Sequence, residues 1–327
     1  MSKPKVIVIC GPTASGKTAL SIELAKQIDG EIISCDSMQI YKDMNIGTAK
    51  PDEEEKQGIK HYLMDFVSPD ERYSVADFKR DATRAIKEIL NKGKMPIIVG
   101  GTGLYVDSMI YGIEYNEIDV DEKYRKQLEE RINKEGLEIL YQEAKKIDPI
   151  AIEKISHNDK KRIMRILEIY KATGKTKTEQ EKESRKNEVE FDYKVFAINM
   201  DREKLYERIN KRVDIMIDKG LIEEVKSLKS KYNKFPTAMQ GLGYKEVVKY
   251  LEKEYDRETM VDIIKQETRR YAKRQLTWFR KNKQTVWLDG LNDMQNNIDI
   301  ILEGINWKKI MKKKRLIKSP KIEYWFQ

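Results

Sequence analysis

Two cysteines and two histidines in 327 residues leave little material for disulfide or protein-built metal chemistry. Cys10 and Cys35 each follow an apolar run, where buried strand ends are expected, and this suits reduced thiols rather than a disulfide framework. His61 and His157 lie far apart, and no Cys/His pair has metal-ligand spacing. No apolar run approaches the roughly 18 residues that a membrane-spanning helix needs, and no signal peptide is visible. A soluble, cytoplasmic protein without a membrane partner is therefore expected. Internal repeats and low-complexity linkers are absent too. The chain has little general excess of charge: Lys and Arg outnumber Asp and Glu by nine, yet Lys308 to Lys318 alone holds seven basic residues and no acid. Binding to a polyanion elsewhere must then rest on local patches, while the basic run reads as a solvated tail or a polyanion-binding segment.

What the chain does have begins at residue 11. Gly11, Pro12, Thr13, Ala14, Ser15, Gly16, Lys17 and Thr18 match G-x-x-x-x-G-K-[ST] in full, after the apolar run Val6–Cys10 and before the helix-like stretch Ala19–Ile28. Glycines let such a loop curl so that successive N–H groups face one anion, and the following helix adds its N-terminal partial charge. Lys17 reaches a terminal phosphate in this motif, and the Thr18 hydroxyl ligates Mg²⁺. A nucleotide hydrolase also needs an apolar strand ending in Asp or Glu, but Met95–Val99 runs into Gly100-Gly101-Thr102-Gly103. The guanine-reading Asn-Lys-x-Asp is missing as well. A carboxylate follows the other early strand, Glu31–Cys35, as Asp36 in Asp36-Ser37-Met38-Gln39. Ligands of open parallel sheets bind at the carboxyl ends of strands, so Asp36 is placed either to take a proton from a nucleophile or to cap a helix or order a turn. The pattern points to a group transferase rather than a motor or switch.

Strand-like and helical stretches alternate over residues 1–112, which predicts an α/β fold of the P-loop NTPase-like kind, a parallel sheet flanked by helices. Between Asp121 and Lys186 no strand-like run occurs. Helices are expected over Glu122–Lys134 and Leu137–Lys146, with further starts at Asp148-Pro149 and at Asn158 or Asp159. In the last of these, Ile163, Ile166, Leu167 and Tyr170 share a face, and Lys161, Arg162 and Arg165 flank it either as a phosphate grip or as an ordinary solvated edge. Tyr193–Ile198 returns to a strand. Residues 113–190 thus read as an all-helical insertion, 1–112 with 191–306 as the core with a helical C-terminal region, and 307–327 as a basic tail. Leu205, Ile209, Val213, Ile217, Leu221 and Val225 recur every four residues, predicting a helical hairpin or kinked helix around Gly220, with Arg208 and Arg212 beside the stripe. Thr268–Lys283 interleaves seven basic residues with Tyr271, Trp278 and Phe279. Lys273 and Arg274 are its candidates for RNA or phosphate contact, and Trp278 is read as core.

Seven segments in this order resemble the tRNA dimethylallyltransferases: Gly11–Thr18, Asp36–Tyr41, Ile46–Pro51, His61–Asp65, Gly100–Tyr105, Gln240–Lys245 and Ala272–Trp278. The resemblance spans roughly residues 4–290. It implies transfer of a dimethylallyl group from dimethylallyl pyrophosphate to N6 of the adenosine 3′ of the anticodon, with the loop holding a prenyl pyrophosphate rather than ATP. It implies that Thr13, Lys17, Asp36 and Arg212 are catalytic, Asp36 as the base and Arg212 at the pyrophosphate. Mg²⁺ is the implied cofactor. Implied tRNA contacts are Asp36, Ser37, Met38, Gln39, Thr102, Arg125, Lys161, Arg162, Ile163, Met164, Arg165, Gln240, Gly241, Leu242, Gly243, Tyr244, Lys245, Lys273 and Arg274, gripping an anticodon stem-loop whose target base is flipped out. A bacterial-type enzyme is expected, since the zinc finger of eukaryotic members has no counterpart, and a monomer is the expected state. The competing readings are a small-molecule kinase on the same loop, and a non-enzymatic RNA-binding protein using the loop as an anion anchor.

Overall fold

The computed structural model describes residues 3–113, 121–184 and 188–307; the basic run Lys308–Lys318 lies outside them. Two compact units divide the chain, one of them Asp107–Val189. The chain order is β1 (Lys5–Cys10), α1 (Lys17–Ile28), β2 (Gly30–Ser34), α2 (Glu53–Lys56), β3 (His61–Tyr62), α3 (Val75–Asn91), β4 (Met95–Gly100) and α4 (Gly103–Ile110). The second unit carries α5 (Glu122–Glu135), α6 (Leu137–Ile147), α7 (Pro149–Ile152), α8 (Lys160–Thr173) and α9 (Lys177–Ser184). The first unit resumes with β5 (Asp192–Asn199), α10 (Arg202–Asp218), α11 (Leu221–Lys231), α12 (Tyr244–Leu251), α13 (Arg257–Phe279), β6 (Val286–Asp289) and α14 (Met294–Gly304).

The six strands among the described residues form one sheet in the order β3-β2-β4-β1-β5-β6, and each of these pairings is parallel. Central strands read as continuous apolar runs because helices cover both faces. Val6 to Cys10 are almost wholly buried, as are Ile97 and Ile98. The expected strands near residues 6–10, 31–35, 95–99 and 193–198 are present. β3 and β6, the two edge strands, are additional; they span two and four residues, and Val286 and Trp287 of β6 are exposed.

Aspartates start many of the described helices. Asp121, Asp148, Asp159, Asp201, Asp256 and Asp293 each accept a backbone N–H at the first turn of α5, α7, α8, α10, α13 and α14, satisfying donors that a helix leaves orphaned. The four-residue apolar stripe splits at Gly220 (φ +97°) into α10 and α11. Its six members are all buried.

In the first unit, Leu24 and Ile28 of α1 and Ile298 and Ile301 of α14 pack on Ile7, Ile9 and Ile97 of the sheet. A second apolar cluster joins Val213, Leu221, Tyr244 and Met260 from α10–α13 to Ile40, Tyr41 and Met44 after β2. Ala272 of α13 packs on Leu205 and Ile209 of α10. The α10/α13 pair is thereby locked beside the carboxyl ends of the strands. The second unit has its own core, built from Leu128, Leu140, Tyr141, Ile163, Ile166 and Leu167 among others.

Candidate active site

The loop Gly11–Thr18 connects β1 to α1, and α1 differs from the aspartate-capped helices. Gly16 occupies its N-cap in the left-handed region (φ +92°), a conformation costly for any residue with a Cβ, and no side chain caps the helix. The first-turn N–H groups are left for an anion. The buried Ser15 hydroxyl has no hydrogen-bond partner in the structure, which is costly unless a ligand supplies one. Lys17 Nζ donates to the Pro12 carbonyl at 2.6 Å. Burial, and then the neighbouring Arg212 charge, lower the Lys17 ammonium from its usual range to about 8. Arg212, on α10, is also held below its usual value by burial, and its Nη1 donates to Thr13 Oγ1 at 3.2 Å. Two desolvated cations beside an uncapped helix and an orphaned hydroxyl have the chemistry to receive a multiply charged anion.

Asp36 lies two residues beyond β2. Its Oδ1 accepts from the N–H of Met38 (2.9 Å) and of Gln39 (3.4 Å), so the turn-ordering role is real. These bonds occupy one carboxylate oxygen. The Asp36 charge acts on both Lys17 and Arg212, raising the pKa of each against the effect of burial. Thr102 steadies the neighbouring residue: its Oγ1 accepts from Ser37 N–H at 3.0 Å, and its own N–H donates to the Cys35 carbonyl at 3.2 Å.

A cavity of about 370 Å³ brings these groups together. Thr13, Lys17, Thr18, Asp36–Gln39, Arg212, Gln240–Lys245 and Arg274 all line it. A second cavity, of about 390 Å³, is lined by Ala14–Thr18 and shares Lys17, Thr18 and Arg212 with the first. The segment Gln240–Lys245 owes its place to the second apolar cluster, in which Tyr244 is only 1% exposed. The Tyr244 hydroxyl donates to Glu224 at 2.6 Å, and Glu224 also accepts the N–H groups of Asn45, Ile46 and Gly47. One carboxylate thus gathers two walls of the cavity.

The remaining assigned positions fall elsewhere. Lys273 is exposed and does not line the cavity. Trp278 is half-buried with Lys281 over its ring at 4.7 Å, and Arg208 is exposed on α10. In the second unit, Lys161 and Arg162 are exposed on α8. Arg125 is held by a two-pronged ion pair to the buried Glu168 (2.7 and 3.0 Å), which Arg165 approaches at 3.5 Å. Ile163 and Met164 require correction as tRNA contacts. Their side chains are 0% and 5% exposed and belong to this unit's core. A run of five consecutive residues on a helix points in all directions, so only its charged members face solvent. Tyr170, expected on the buried face, is 44% exposed.

Sequence reasoning missed three residues that shape the cavity. Glu224 and Gln275 each bind backbone remote in sequence, for which no local signal exists, and Tyr271 lines the wall one turn before Gln275. Among the described residues no helix is long and apolar enough to cross a membrane, and Cys10 and Cys35 are buried thiols that donate to the Phe196 and Thr102 carbonyls.

The family model for IPP transferase matches residues 39–282. A tRNA dimethylallyltransferase of Acetivibrio thermocellus is 55% identical over 285 residues, covering 87% of this chain and 91% of that protein. One of Lachnoclostridium phytofermentans is 47% identical over 314 residues, covering 96% and 99%. Among solved structures, the tRNA isopentenylpyrophosphate transferase of Bacillus halodurans has a TM-score of 0.70 at 41% identity, over 97% of this chain and 100% of that one. A eukaryotic dimethylallyltransferase caught acting on tRNA has a TM-score of 0.76 at 33% identity, over 93% and 80%.

Proposed function

We propose that this chain, which belongs to the IPP transferase family, transfers a dimethylallyl group from dimethylallyl pyrophosphate to N6 of the adenosine 3′ of the anticodon in tRNA. The observation that carries the reading is the shared cavity. Lys17, Arg212 and the Asp36 carboxylate line it together with the Gln240–Lys245 wall, so an anion receptor and a base face one space.

The diphosphate oxygens take the first-turn N–H groups of α1, the Ser15 hydroxyl, Lys17 and Arg212. These cations and dipoles are fixed before substrate arrives, so they stabilise the charge that grows on the leaving group without reorganising. The allylic carbon–oxygen bond breaks and its electrons go to the diphosphate, while the N6–carbon bond forms. Asp36 accepts the N6 proton, which raises the nucleophilicity of an amine whose lone pair is conjugated to the ring. A stacked adenine cannot reach a walled cavity, so the base is flipped out of the anticodon loop. Lys161, Arg162 and Arg165 of the second unit grip RNA phosphates.

Mg²⁺ fits the donor set. The Thr18 hydroxyl, which lines the cavity with Lys17 and Arg212, supplies one hard oxygen that would hold the ion, and among the described residues no cluster of three His, Cys, Asp or Glu could hold a metal alone. That chemistry suits an ion completed by substrate phosphate and water. When bound, Mg²⁺ neutralises charge on the departing diphosphate. The test is incubation with unmodified tRNA, Mg²⁺ and radiolabelled dimethylallyl pyrophosphate. Label in RNA that depends on Asp36 supports the transferase; label that stays out of RNA, with ATP-dependent phosphorylation of a small molecule, supports the kinase.

A further inference from the structure

The Gln275 side chain is only 5% exposed, on a helix otherwise crowded with cations. Its Oε1 accepts the Thr13 N–H at 2.9 Å, and its Nε2 donates to the Gly101 carbonyl at 2.9 Å. The partners fix the amide's orientation, because a backbone N–H can only donate and a carbonyl can only accept. A Cβ on residue 101 would lie 2.1 Å from Gln275 Nε2, while the nearest atom outside Gln275 and the chain neighbours, the Gly11 carbonyl oxygen, would be 3.5 Å away. The glycine therefore makes room for this amide in particular.

The two bonded residues belong to different parts of the reaction. Thr13 is in the anion loop, and its hydroxyl receives Arg212. Gly101 precedes Thr102, which holds the Ser37 N–H beside Asp36. Ala14 and Leu276 pack at the contact between α10 and α13, so the loop is gripped by α13 through its backbone and by α10 through Arg212. The Thr13 N–H spent on Gln275 is also removed from the set that can bind diphosphate.

We propose that Gln275 is a positioning residue that sets the distance between the diphosphate receptor and the base, by tying the anion loop to the Gly100–Gly103 turn. It touches backbone on both sides and acts through Thr13 and Thr102. This rests on the transferase reading above. Reacting groups displaced by about 1 Å lose on the order of 10²-fold in rate, and the loss belongs in kcat because the cations and the RNA-binding surface stay in place.

Gln275→Met keeps the side chain's bulk and removes both hydrogen bonds. In the full chain, kcat should fall about 30- to 100-fold, with the Kd for tRNA changed less than about twofold and inorganic pyrophosphate still bound in calorimetry. Gly101→Ala, which pushes the same amide from its other side, should reproduce the kcat loss. In an Arg212→Ala background, Gln275→Met should cost less than about threefold, since coupled positions are not additive. A wild-type protein that fails to prenylate tRNA in the parallel assay defeats the transferase reading. An active wild type with a folded Gln275→Met variant within threefold of its kcat defeats the positioning role. So does full additivity with Arg212→Ala, the result expected of general destabilisation.

Discussion

Replacing Asp36 by Asn separates its two roles. An asparagine side-chain oxygen can still accept the Met38 and Gln39 N–H groups, now at 2.9 and 3.4 Å from Oδ1, so the turn persists. What disappears is the proton-accepting oxygen and the negative charge that acts on Lys17 and Arg212. A positioned general base is worth about 10²–10⁴-fold, or roughly 3–5 kcal/mol of barrier. Losing the charge removes a repulsion on the incoming diphosphate, so KM for the donor should stay level or fall. Asp36→Ala should lose the same rate and, in addition, the two turn bonds, at about 1–3 kcal/mol. The assay is single-turnover transfer from labelled donor into pre-bound tRNA, with thermal unfolding measured in parallel. Asn should unfold with the wild type and Ala a few degrees below it. An Asp36→Asn enzyme within tenfold of the wild-type rate would show that the proton leaves by another route and that Asp36 only orders the turn.

Lys17 gives a pH signature. Its pKa in the free site is lowered to about 8, and a bound diphosphate favours the ammonium, so donor KM should be flat below that pH and rise above it, as read from initial rates. Changing Arg162 and Arg165 to Ala should weaken tRNA binding and flatten its salt dependence by about one counterion per lost phosphate contact, measured by filter binding across a salt series, with donor affinity unchanged. Glu224→Ala orphans three backbone N–H groups and the Tyr244 hydroxyl; it should destabilise the protein by about 2–3 kcal/mol in urea unfolding, and a shift under half a kcal/mol would mean water replaces the carboxylate.

Local signals made much of this site legible. Gly11–Thr18 could be read because its chemistry is contiguous, and the carboxyl-end rule for parallel sheets put Asp36 near it. The period of four over Leu205–Val225 and the aspartate caps likewise depend on near neighbours along the chain. Residues whose partners are distant were not legible. Gln275 sits 262 positions from Thr13 and 174 from Gly101, and nothing in a helix of alternating cations and aromatics marks a buried amide. β3 and β6 are too short for a periodicity to develop. Ile163 and Met164 went astray for a different reason: the tRNA assignment took a whole segment over from the resemblance, although the helical period over 163–167 already pointed Ile163 inward.

The central claim is that the anion receptor and Asp36 act on one adenosine. The most direct measurement is nuclease digestion and mass spectrometry of unmodified tRNA after incubation with the protein, Mg²⁺ and dimethylallyl pyrophosphate. The account predicts a dimethylallyl adduct on the adenosine 3′ of the anticodon with wild-type protein, and almost none in the same time with Asp36→Asn. An adduct on another nucleotide, or equal adduct from both proteins, would contradict it.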